Sequence, residues 1–207
     1  MKSRALIGKY GEGHNDYAEI KMCSHTGAIS AIDPEEHSVH DGEAYLCSAG
    51  QTVSDTNDRT AIAIKTPLSR KHLHLVASAQ SGAGSWFYIR EGPTITDGQG
   101  ATLAVYNRNR NSVNTSGVID TSATPDLVGS ATYFAEADQA DYTENGSLIY
   151  QELLSSGDKS RGGAATWGRE GFICKPDTVY LFYLKATSDL DCVQNINLGW
   201  FEHTETY

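Results

Sequence analysis

A chain of 207 residues reads as one domain with room for an appendage, and at this length burial of roughly 70% of the unfolded surface needs no disulfide or metal staple. Sixteen Lys and Arg against 26 Asp and Glu leave a formal charge of −10. This argues against nucleic acid as a partner, since affinity for phosphate comes from cationic side chains releasing counterions. No stretch approaches the ~20 apolar residues of a membrane span, and MKSRALIGKYGEG lacks the apolar run of a secretory signal.

The four cysteines, Cys23, Cys47, Cys174 and Cys192, are scattered without a C-x-x-C pair. They read as reduced, buried thiols of a protein made in the cytoplasm, which makes the sequons at Asn114 and Asn145 chance matches. Of the 19 aromatic residues 11 are Tyr, a composition suited to half-buried or shared surfaces.

Residues 1–32 are polar and contain Gly, with short strand-like pieces (AEIKM, GAISAI), and precede the turn signal DPEEH. They read as an N-terminal arm or added hairpin, because Tyr10, Tyr17, Ile20 and Ile29 need something to pack on. Over 33–207, period-two alternation dominates and helical periodicity is nearly absent. TAIAIKT puts Ile62 and Ile64 on one face. KHLHLVASAQ points Leu73, Leu75, Ala77 and Ala79 one way and His72, His74, Val76 and Ser78 the other. SWFYIRE and ATLAVY follow as further strands.

YNRNRNS is then either a strand, with Tyr106, Arg108 and Arg110 on one face, or a turn whose Asn side chains bond their own backbone. Arg suits bidentate carboxylate pairing, so the block reads as an internal or inter-subunit brace. From Asn111 to Asp158 there is no Lys or Arg but eight carboxylates. Its part around 122–147 reads as an exposed acidic insertion with a helical turn or two, and SRGGAATWGREG as a Gly-rich loop carrying Trp167. TVYLFYLKA is apolar on both faces, with Val179, Leu181 and Tyr183 opposite Tyr180, Phe182 and Leu184. A sheet with one wet face cannot take such a strand, so the arm, the acidic insertion or another subunit must cover it. QNINLGWFE restores alternation, with Ile196, Leu198 and Trp200 inward. Short strands punctuated by QSGAGS, TDGQG and KPDT give an all-β fold, an antiparallel β-sandwich.

Candidate chemistry is sparse. Asp138, Asp141 and Glu144 are spaced like hard oxygen ligands, but the Ca²⁺ loop pattern is absent and a solvated acidic loop accounts for them. His72 and His74 lie about 7 Å apart on one strand face, and His37 and His40 form a second pair; both read as structural, with no convergent metal ligand set in view. There is no nucleophile elbow, P-loop, dinucleotide fingerprint or H-E-x-x-H. No pair of carboxylates stands out for glycoside hydrolysis. The expectation is no enzyme, no cofactor and no metal.

Three stretches carry a resemblance: IDPEEHSVHDGEAYLCSAG; IAIKTPLSRKHLHLVASAQSGAGSWFYIREGPTITDGQGATLAVYNRNRNS; and GFICKPDTVYLFYLKATSDLDCVQNINLGWFEH. Their H-x-x-H-x-G opening, Y-x-x-E-G…NRNRN block, KP-x-T-x-Y strand start and terminal aromatic-Glu pair cover Ile32 to His203. The chain here resembles a family of small structural proteins of tailed bacteriophages, most closely the head decoration, or cement, proteins. The resemblance implies a jelly-roll-like sandwich on the outer capsid surface that bridges capsomers, made in the bacterial cytoplasm and carried on the virion. Its implied partners are the major capsid protein and further copies of itself as a homotrimer. On this reading Tyr106, Arg108, Arg110, Tyr180 and Phe182 are inter-subunit or bracing contacts, and Lys2, Arg4, Lys9 and Tyr10 place the arm against the capsid. The alternatives are a carbohydrate-binding module using Trp86 or Trp167, and a tail or connector component.

Overall fold

The computed structural model describes residues 5–8, 17–20, 38–68, 71–96, 99–122, 127–135, 142–154 and 163–204, with backbone alone at 5–8, 17–20, 163–170 and 204. The chain divides into two compact units, Met1–His37 and Ser38–Tyr207, later than the composition shift after Ile32. In the first unit β1 (Ala5–Gly8) pairs antiparallel with β2 (Tyr17–Ile20), Ala5 opposite Ile20. Lys2, Arg4, Lys9 and Tyr10 lie outside the described residues.

The second unit is all-β, with two antiparallel sheets. The larger contains β4 (Arg59–Lys65), β6 (Ser85–Glu91), β7 (Ala101–Ala104), β9 (Ile119–Asp120), β10 (Leu127–Val128), β11 (Ser130–Phe134), β12 (Ser147–Leu154) and β14 (Val179–Ala186). Its main path runs β10-β9-β4-β14-β6-β12, and β11 joins β4 to β7. The smaller sheet has the order β13-β5-β15-β3-β8, built from β3 (Ala44–Val53), β5 (Lys71–Ser81), β8 (Tyr106–Asn107), β13 (Gly163–Cys174) and β15 (Cys192–Thr204). The long strands β3, β4, β5 and β6 alternate between the sheets, and β12, β13, β14 and β15 do so again.

Alternation sets which face is inward. Along β5 and β15 every second residue is buried, so Leu73, Leu75, Ala77 and Ala79 meet Ile196, Leu198 and Trp200 in one core. Ile62, Ile64, Phe87, Ile89, Tyr180, Phe182 and Leu184 close that core from the larger sheet. A polar clamp ties the layers. Thr60 Oγ1 donates to Gln194 Oε1 (2.8 Å), and Gln194 Nε2 donates to Ser85 Oγ (3.1 Å), which is 2.8 Å from Ser81 Oγ. Gln194 is fully buried, so these bonds meet the requirement that an interior amide be satisfied.

The other face of β14 is covered by the chain itself. Leu181 and Tyr183 pack with Ala61, Ala63, Phe134 and Tyr142, and Tyr88 and Ile95 extend the cluster. Phe134 comes from β11, inside the stretch read as an acidic insertion. That reading is corrected: β11 is a sheet member, hydrogen-bonded to β4 (Phe134 opposite Ala61) and to β7 (Ala131 opposite Leu103). Tyr180 and Phe182 are corrected as inter-subunit contacts too, because they are 1% and 0% exposed and point into the core between the sheets. Tyr180 braces internally: its hydroxyl donates to Glu91 Oε2 (2.9 Å) and accepts from Lys175 N (2.8 Å).

The Gly-rich loop reading of SRGGAATWGREG is corrected as well. Residues from Gly163 onward form β13, Trp167 opposite Ala77, with a bulge before Phe172. Gly171 makes the bulge possible: its φ is +56°, and a Cβ there would lie 2.5 Å from the Leu75 carbonyl oxygen. Cys47, Cys174 and Cys192 are buried free thiols; burial pushes Cys47 up to about 12 and raises Cys174 as well.

Phe134→Ala should destabilise the isolated protein by about 3–5 kcal/mol in chemical denaturation, the range of a buried ring removed from a core. A near-neutral result would mean that this face does not depend on its own chain for cover. Burial pushes Tyr45 and Tyr183 up to about 12 from 10.0, and raises Tyr142 and Tyr180 as well. The unfolded phenols ionise first, so this contribution to stability is complete below pH 10 and is lost as pH rises towards 12. Phenolate absorbance followed with circular dichroism should show these tyrosines ionising together with unfolding.

Candidate interaction surface

The block YNRNRNS is half strand and half turn. Tyr106 and Asn107 form β8 beside Leu46 and Tyr45 of β3, and the chain then turns. The asparagines organise backbone. Asn107 Oδ1 accepts from Asn109 N (2.9 Å), and Asn109 Oδ1 accepts from Asn111 N (3.1 Å), two successive Asx turns. Asn107 Nδ2 donates to the carbonyls of Gly42 (2.8 Å) and Asn114 (3.1 Å), and Asn109 Nδ2 to that of His40 (3.1 Å). Asn114 Nδ2 donates to Asp41 O (3.3 Å), and Tyr45 OH to Gly42 O (3.2 Å). These amides hold the His40–Gly42 turn, where Gly42 has φ +72° and a Cβ would strike Ser112.

With the amides turned inward, the block displays the rest. Tyr106 is 50% exposed, and the Arg110 guanidinium carbon sits 5.5 Å from the Tyr106 ring centroid, a cation–π contact. Arg108 is also exposed. The structure therefore brings Tyr106, Arg108 and Arg110 together at one end of the smaller sheet, and leaves Tyr180 and Phe182 in the interior.

The loop after the block is anchored by Glu202, which the sequence reading passed over except as half of an aromatic-Glu pair. Its carboxylate is 1% exposed and accepts from Ser116 Oγ, Gly117 N (2.9 and 3.0 Å) and Trp200 Nε1 (3.2 Å). Four hydrogen bonds thus replace its lost hydration. An alternating strand that puts a Glu inward was the signal for it.

Beside β8 the outer face of the smaller sheet carries Leu46 (41% exposed), Val76, Phe201 and Ile173 (54% exposed), with His72, His74 and His203 at its end. His203 faces His72 across the β15–β5 pair, and His74 stacks on Phe201 with centroids 4.5 Å apart. His203 Nε2 lies 2.6 Å from His74 Nε2, one ring donating to the other. Among the described residues no group of three or more metal-ligating side chains converges on a cation position. Glu144 Oε1 is ion-paired with Arg59 and Lys185, and its Oε2 accepts from Tyr183 OH (3.2 Å), which ties this carboxylate to the sheet. Asp138, Asp141 and His37 lie outside the described residues, as does the Trp167 side chain, while Trp86 is half-buried beside Tyr88.

Asn107→Asp removes two donor bonds to carbonyls and sets a charge against them, and should lower stability by about 2–3 kcal/mol in denaturant melts. Arg110→Ala should change it by less than about 0.5 kcal/mol. Equal losses would mean that the arginines, and not the amides, hold the block.

No protein-family model, no curated protein and no solved structure matches this chain.

Proposed function

We propose that this protein is a structural component of a tailed-phage virion, a jelly-roll module that binds the outside of the capsid and braces neighbouring capsomers. The strand order carries the reading. Taken in chain order, β3, β4, β5 and β6 alternate between two layers, β12 stays beside β6, and β13, β14 and β15 alternate again, giving layers ordered β3-β15-β5-β13 and β4-β14-β6-β12. That is the order of an eight-stranded double-sheet jelly roll, an architecture that viral shell domains and lectins share. The remaining strands of the second unit extend the two sheets past β4 and β3. Fold alone does not assign function; the NRNRN block, the KP-x-T-x-Y strand start and the aromatic-Glu pair add to it. Each has a structural task here: the block holds the His40–Gly42 turn, Lys175 and Tyr180 share Glu91, and Glu202 anchors the Ser116–Gly117 loop.

Both faces of β14 are sealed by the chain's own residues, and Cys47, Cys174 and Cys192 are buried. This suits a module that transmits load through packed sheets. Residues 1–32, with Lys2, Arg4, Lys9 and Tyr10, are the proposed capsid-reaching arm, and the major capsid protein is the proposed partner. Cryo-microscopy of virions from the phage that encodes this chain should place the module on the head surface; density on the tail, or none, would overturn the reading. Deleting residues 1–30 should weaken binding to capsids while the remaining module still folds, and undiminished binding would remove the arm from the proposal.

A further inference from the structure

We infer that the outer face of the smaller sheet is a self-association surface, on which a second copy of this chain packs face to face. The outward residues of β3 (even numbers 46–52), β5 (even numbers 72–80) and β15 (odd numbers 193–203) are fifteen positions, and none is Asp, Glu, Lys or Arg. In a chain that is 20% charged, about three would be expected there. The flanking Tyr106 of β8 and Ile173 of β13 are uncharged as well. Depletion of charge at the centre of a patch is one compositional mark of an interface core; here Ser48, Ser78, Asn195 and Asn197 hold the centre, with Leu46, Val76 and Phe201 towards the β8 end. Two molecules of net charge −10 repel each other, and they come together most readily where neither presents a carboxylate.

The two ends of this face differ in charge. At the β8 end stand Arg108, Arg110 and Lys71, with Asp41 and Glu43 beside them; Glu43 is engaged by Lys71 at 3.5 Å. At the opposite end the loops after β3 and before β15 carry Asp55, Asp58, Asp189 and Asp191, of which Asp58 is buried in its own turn. A two-fold axis lying in the interface and running across the strands sets the arginine end of each copy against the aspartate end of the other. Such an isologous contact closes on itself as a dimer, and sheet faces pack in this way with strands within about 30°. The four long strands, about 4.8 Å apart and about 30 Å long, give a face of roughly 580 Å², and the β8 block beside them brings it towards the ~800 Å² per partner of specific complexes.

This pairing does not require the virion role and differs from the trimer that the resemblance implies, so mass in solution separates the two. Sedimentation equilibrium of the full chain, without capsids, should give twice 22.4 kDa. Asn197→Glu lies across from Ser48 and Ser78 at the centre of the face. It, and Ser78→Glu, should each weaken association roughly a hundredfold by setting like charges against each other across the two-fold, and either variant carries the test if the other fails to fold. Leu148→Glu on β12, in the other sheet, should leave association unchanged. Arg110→Glu should weaken the dimer and Asp191→Arg should restore it in the double variant. A monomer at every concentration, a three-fold mass, or a dimer indifferent to both central charges would overturn the inference.

Discussion

The structure depends on β14 being buried on both sides. Tyr180, Phe182 and Leu184 face the core between the sheets, and Leu181 and Tyr183 face a second cluster on the far side of the larger sheet. A strand apolar on two faces is stable only when both are taken out of water, each large side chain contributing about 1.5–3 kcal/mol. The chain meets this demand with the excursion between β6 and β12. It runs along the edge of the sheet as β7, β9, β10 and β11 and supplies Phe134, with the Tyr142 ring tilted against it 5.1 Å away. Gly100 is part of the same solution, since with φ +82° it lets the chain pass where a Cβ would lie 2.8 Å from Phe134.

Polar chemistry is used for holding loops. The asparagine block, the Glu202 anchor and the Asp58 turn each present side-chain oxygens or amides to backbone groups that no ladder satisfies. An orphaned backbone group costs about 1–3 kcal/mol when buried, so these residues keep the long connections from fraying at the ends of the sandwich. These side chains are thereby committed to structure, and among the described residues Tyr106, Arg110 and the uncharged sheet face are exposed.

Much of the fold was legible because alternation is a local signal: β4, β5, β6, β14 and β15 stand where Ile62, Leu73, Phe87, Tyr180 and Ile196 repeat with period two. Three long strands were not. In β3, Ser48, Gly50 and Thr52 hide the outward positions in what looks like a polar loop. In β12 a register shift between Leu148 and Tyr150 breaks the period. In β13 the glycines lower strand propensity, and the bulge displaces Phe172 from phase with Trp167. The sites split in the same way. Asx turns follow from Asn spacing within a few residues, whereas Ser116 and Glu202 are 86 positions apart, and only the fold brings them together. The two-sided burden of β14 was readable, but which segment answered it was not, since β11 earns its place by pairing with a strand about 70 positions away.

The neighbouring strands β3 and β15 run in opposite directions, with Ala44 facing Phe201 at one end and Val53 facing Cys192 at the other. The chain therefore enters and leaves the sandwich side by side. A pull applied between these two exits would part the ladder one rung at a time, as a zipper opens, with no set of bonds sharing the tension. The same bonds resist best when loaded together in shear, along the strands. A mechanical role for this molecule is then best served by forces entering through its broad faces, and a tether drawn taut between its two exits would be its weakest direction.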